Sequence, residues 1–185
     1  MSRSSSSTPS KSQFAKVLGI LSRVSFWVQL VLGIAAGITL LLVVISRNFS
    51  EANNNVLIGL GLFFAGVSIV VLGFRVYWAW RCTRLARRLR EKLPAQKISR
   101  AEVSDILKVG LITSLGGLLL AFLAAEVTTV TVLTKALAQP QGTAVYEPEN
   151  AVRSLDLFLI LADINLIGAH LLGSISALGL SNWLE

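Results

Sequence analysis

The chain has 185 residues, of which 54% are hydrophobic and 15% charged, and a formal net charge of +7. Soluble domains carry about 25% charged residues, so this composition excludes an ordinary soluble domain and points to a bilayer protein. One cysteine, Cys82, excludes an intrachain disulfide, and there is no Cys/His metal cluster outside the apolar segments.

Residues 1–12 hold seven Ser and one Pro, a composition expected to be a disordered tail. It is too short for a full transit peptide. Residues 13–185 are expected to form a four-span membrane domain. The first span, Val24–Ile45, has one strongly polar side chain, Gln29. Gly33 and Gly37 form a GxxxG pattern on it, which lets helices approach closely where lipid offers no hydrophobic drive. A short loop, Ser46–Asn55, makes spans one and two a tight hairpin.

The second span, Val56–Trp80, carries Arg75 one turn from its end, where the guanidinium is expected to snorkel to the headgroups. A basic cytosolic loop occupies residues 81–99. Its first part, Arg81–Leu93, favours helix, and Pro94 ends it. Arg81, Arg84, Arg87, Arg88 and Arg90 are candidates for contact with anionic lipid headgroups or partner proteins. Ser99 and Glu102 form a capping box, so the third helix is expected from Arg100 to about Leu137, with the apolar run Val109–Leu133. Glu126 lies inside that run. The loop 139–150 holds two prolines and a glycine.

The fourth span, Leu155–Leu180, is the most informative. Asp156, Asp163 and His170 recur every seven residues, just under two helical turns, so they form one narrow stripe with about 10.5 Å between successive members. An Asp near the middle of a spanning helix costs roughly 2.5–3.5 kcal/mol, and such groups mark ion paths, proton relays or paired charges. Asn165 lies on another face of the helix. Gly173, with Ala169 and Ala177, forms a packing face.

The predicted fold is an all-α, integral membrane four-helix bundle. Lys and Arg crowd the N-terminal tail and the central loop, so the positive-inside rule puts these and both termini on the cytosolic side. Trp27, Trp78, Trp80 and Trp183 fall near that face, where an indole meets headgroups. The net positive charge then reflects topology and anionic lipid, with no nucleic-acid motif behind it. No nucleophile elbow, zincin helix, Walker loop or Rossmann fingerprint appears, so neither an enzyme nor a bound cofactor is expected.

Carboxylate and imidazole suit divalent iron, manganese or zinc. Glu126, Asp156, Asp163 and His170, with Gln29 and Asn165, form a candidate cation path. Asp156 and His170 are the candidate transient metal ligands. The stripe spacing is too long for one ion, so sequential weak sites or a proton relay fit better than a cage.

The segments Arg23–Val31 (RVSFWVQLV) and Leu155–Leu159 (LDLFL), with Asn165, His170–Gly173 (HLLG) and the Lys135-Ala-Leu segment, resemble the plastid inner-envelope family known as permease in chloroplasts or Tic twenty-one, and its cyanobacterial relatives. The resemblance implies a four-helix protein of a cyanobacterial plasma or thylakoid membrane, or of the plastid inner envelope. It also implies a role in iron uptake, or in protein import and membrane-complex assembly. Gln29, Asp156, Asn165 and His170 match the family pattern, whereas Glu126 and Asp163 depart from it. The short tail favours a cyanobacterial member. Two functions follow as expectations: a divalent-cation permease, and a scaffold or translocation component that binds other membrane proteins. Four spans are few for a transporter, so a homo-oligomer is expected in the first case.

Overall fold

The computed structural model describes residues 11–48, 56–90, 100–138 and 154–182. These form four helices in chain order: α1 (Lys11–Asn48), α2 (Val56–Arg90), α3 (Arg100–Ala138) and α4 (Ser154–Asn182). Each is long and apolar enough to cross a membrane, over Lys16–Ser46, Val56–Arg84, Val103–Ala138 and Ser154–Asn182. At 1.5 Å per residue, α1 and α3 exceed the roughly 30 Å hydrocarbon layer and extend beyond it. The protein is a multi-pass membrane protein. Helix α1 starts two residues inside the predicted tail. Helix α2 runs ten residues into the predicted basic loop. The remainder of the tail, the loops 49–55 and 139–153, Ser99 of the capping box, Pro94 and Trp183 lie outside the described residues.

The helices pack as a ring in which α1 meets α2 and α4, and α3 meets α2 and α4. Across the ring, α2 also reaches α4. Leu18 (α1), Ala86 (α2), Val103 (α3) and Leu180 (α4) share one apolar cluster. The start of α1 therefore lies beside the end of α2, the start of α3 and the end of α4, an up-down-up-down bundle.

The reason for this packing is a repeat of small residues. Buried positions on α2 are Gly61, Ala65, Ser68, Leu72, Arg75, Ala79, Cys82 and Ala86. On α3 they are Val103, Leu107, Gly110, Ser114, Gly117, Ala121, Ala124, Thr128 and Thr131. Both alternate steps of four and three, the seam of a left-handed bundle. Outside the seam the surface is apolar: Ile34, Phe63, Val70, Ile112, Leu119 and Ile164 are all more than half exposed. Bulky apolar groups face lipid while small and polar ones face inward, the inverse of a soluble bundle.

Gly33 and Gly37 pack against Leu72 and Ile69 of α2, so the GxxxG pattern is an internal α1–α2 contact. Gly59, Gly66 and Gly73 of α2 face open space.

Candidate functional site

Polar residues inside the bundle are arranged in levels along α4. At the far end, Lys135 near the end of α3 donates to both carboxylate oxygens of Asp156, at 3.0 and 2.9 Å. Asp156 stands in the first turn of α4, where the helix dipole favours an acid. The pair is largely buried, with side-chain exposures of 17% and 12%.

Two turns further along, Asp163 is fully buried and faces Thr128 of α3. Neither its two oxygens nor the Thr128 hydroxyl closes a hydrogen bond. Thr128 in turn touches the α2 backbone level at Gly61, where a methyl group would meet its hydroxyl.

His170, also fully buried, is held by α2 and α3. The Ser68 hydroxyl donates to the Gly117 carbonyl at 3.2 Å. Its single hydrogen is thereby used, so His170 Nε2, at 3.2 Å from Ser68 Oγ and 3.3 Å from the Ser68 carbonyl, carries the proton and donates. The other ring nitrogen, Nδ1, is left as a lone pair with no hydrogen-bond partner. The ring lies against the Gly117 backbone, where any Cβ would overlap it.

One turn beyond His170 all four helices meet. Arg75 of α2 donates from Nε to Ser114 Oγ of α3 at 2.8 Å and from Nη2 to the Gly173 carbonyl of α4 at 3.0 Å. Gln29 of α1 bonds Ser25 at 2.9 Å, and its Nε2 crowds the same Gly173. Only a residue without a side chain fits where Ser114, Gln29 and Arg75 converge.

Two expectations change here. Arg75 does not snorkel. It is 5% exposed, because a hydroxyl and a helix carbonyl from other chain segments receive its donors inside the bundle. Trp78 is also turned inward at its polar end: its Nε1 donates to the Ile106 carbonyl of α3 at 2.8 Å, against Gly110.

The structure places the candidate path residues unevenly. Asp163 and His170 line the interior. Asp156 lies at the bundle end in its ion pair, about 21 Å from His170 along the helix, so the two do not share one ion. Gln29 joins the Arg75 level, and Asn165 is half-buried off the stripe. Glu126 does not join the stripe. It is exposed and sits two residues, or about 200° of helix, from the inward-facing Thr128. Among the described residues no group of three His, Cys, Asp or Glu is placed to hold a metal ion.

Of the basic residues, Arg81 stacks over Trp78 at 5.0 Å and Arg84 over Trp80 at 3.9 Å. Arg87 lines a groove of about 130 Å³ with Lys16 and Arg23. Arg88 and Arg90 have side chains outside the described residues.

The model of the family described as "Protein of unknown function (DUF3611)" matches residues 8–185. A curated relative, Protein TIC 21, chloroplastic, of Arabidopsis thaliana, is 31% identical over 168 residues, covering 86% of this chain and 54% of the relative. The chain thus spans about half the length of that relative. No solved structure matches.

Proposed function

We propose a role in ion permeation for this chain, which belongs to the DUF3611 family: it carries iron or another divalent metal cation across a plastid or cyanobacterial membrane. The observation that carries the proposal is Asp163, a fully buried carboxylate whose two oxygens have no hydrogen-bond partner. An unpaired carboxyl in a bilayer is costly and marks a functional position. About 10.5 Å further in, His170 offers an unpartnered Nδ1 lone pair. A cation entering past the Asp156–Lys135 pair meets first an oxygen and then a nitrogen ligand, each too weak alone to trap it.

Beyond His170 the path meets a fixed positive charge. Arg75, tied to Ser114 and Gly173, opposes a cation until those bonds open. A transport cycle therefore has to displace the guanidinium, and Arg75 acts as its barrier. The name of the chloroplastic relative supports the choice of membrane.

Ferrous iron, manganese and zinc uptake into proteoliposomes tests the proposal. Wild type takes up metal above empty liposomes, and Asp163→Asn and His170→Gln lose that uptake while still folding. Equal uptake in the wild type and both variants refutes the path.

A second function, as a scaffold or translocation component for other membrane proteins, is favoured by Gly59, Gly66 and Gly73. These face open space at seven-residue spacing on α2, a surface on which another spanning helix can lie closely. Its signature is a co-purifying membrane protein that Gly66→Leu releases. Unchanged co-purification rejects this surface.

A further inference from the structure

Arg75 has no carboxylate partner. The Lys135–Asp156 pair is the ion pair among the described residues, and it lies at the opposite end of the bundle. A guanidinium keeps its proton in proteins and brings five N–H donors. Ser114 and the Gly173 carbonyl receive two of them. A buried charge without a counter-charge is expensive, and two neutral acceptors supply dipoles but no compensating charge.

Beside Arg75 is a cavity of about 20 Å³, lined also by Ser22, Ser25, Cys82 and Ser176. Its chemistry is one-sided. No Asp or Glu lines it. Ser25 accepts from Gln29 Nε2, so its own O–H is free to donate elsewhere. Ser22 brings a second, buried hydroxyl. Ser176 uses its hydrogen on the Leu172 carbonyl at 2.7 Å and cannot donate inward. Arg75, Ser22 and Ser25 therefore supply N–H and O–H donors around a space for one particle of about water size. The surrounding end of the bundle is basic, with Lys16, Arg23 and Arg87 around the neighbouring groove. Such a field raises the local anion concentration.

We infer that this cavity is a monatomic-anion site, taking chloride or a similar halide as the counter-charge of Arg75. Its volume is too small for phosphate or sulfate. The site does not rest on the permease proposal, because its ligand compensates a fixed structural charge whichever solute crosses the bundle.

The test uses the full-length protein in detergent micelles, melted in sodium chloride, sodium bromide or sodium gluconate at equal ionic strength. Chloride and bromide are expected to raise the melting midpoint over gluconate by about 5 °C, with saturation. The Ser22→Ala/Ser25→Ala double variant and Arg75→Gln are expected to lose the halide shift. Identical midpoints in all three salts, or a shift that grows without saturating, would mean that water fills the cavity and would overturn the site. So would a saturating shift retained in both folded variants. Because Arg75→Gln is liable to misfold, ³⁵Cl nuclear magnetic resonance on the wild type decides independently. Line broadening that bromide competes away supports the site, and its absence overturns it.

Discussion

Two adjacent glycines show how sharply position decides the role of a residue here. Gly117 lies under the His170 ring, and a Cβ added there would overlap the imidazole. Gly116 has nothing within reach of a Cβ. The sequence treats them alike, and only the inward turn of α3 separates them. Gly117→Ala has to push out a ring that Ser68 holds, and overpacking of this kind costs typically about 1–3 kcal/mol. Gly116→Ala removes a poor helix former and is expected to be neutral, or stabilising by up to about 1 kcal/mol. Denaturant titration of both variants in micelles checks this. If the two lose stability equally, His170 does not occupy the Gly117 surface.

The elements differ in how well the sequence reveals them. All four spans are legible because length and apolarity alone define a membrane helix. The inward face of α4 is legible too, because Asp156, Asp163 and His170 mark it every seven residues. The inward faces of α2 and α3 are not. Lipid is as apolar as a bundle core, so Gly, Ala and Ser sit on both faces and no amphipathic contrast develops. Arg75 illustrates the consequence. Its distance from the span end allowed snorkelling, and what turns it inward is Ser114 and the Gly173 carbonyl, on helices distant in sequence. Glu126 shows the converse: hydropathy places it in the span, but only the register of α3 shows that it points away from Asp163. At the element level the Lys135–Asp156 pair ties the end of α3 to the start of α4. Removing one member strands a largely buried charge, so Asp156→Ala should destabilise by about 1–3 kcal/mol, less than for a fully buried pair because some water reaches both groups. The charge-swapped double variant, Lys135→Asp with Asp156→Lys, should recover part of that loss. A double-mutant cycle measures the coupling, and additive losses would show that the pair contributes no net stability.

On the scale of the whole molecule, the two ends of the bundle differ in charge. Lys16, Arg23, Arg81, Arg84 and Arg87 gather where α1 begins and α2 ends, whereas the other end carries the mutually neutralised Lys135 and Asp156. Cytosolic excess of Lys and Arg near span ends sets orientation, so the basic end faces the cytosol or its plastid equivalent. The antiparallel ring puts the start of α1 and the end of α4 at that same end. When the chain is expressed in a bacterial inner membrane, green fluorescent protein fused after Glu185 should therefore fluoresce, and alkaline phosphatase fused there should be inactive. Alkaline phosphatase fused after Asn48 should be active. Neutralising Arg81, Arg84 and Arg87 together removes three charges from the decisive loop and should give a mixed population in both assays. The opposite reporter pattern in the wild type would invert the molecule. The Asp156–Lys135 pair would then face the cytosol, and the Asp163-to-His170 sequence would run outward rather than inward.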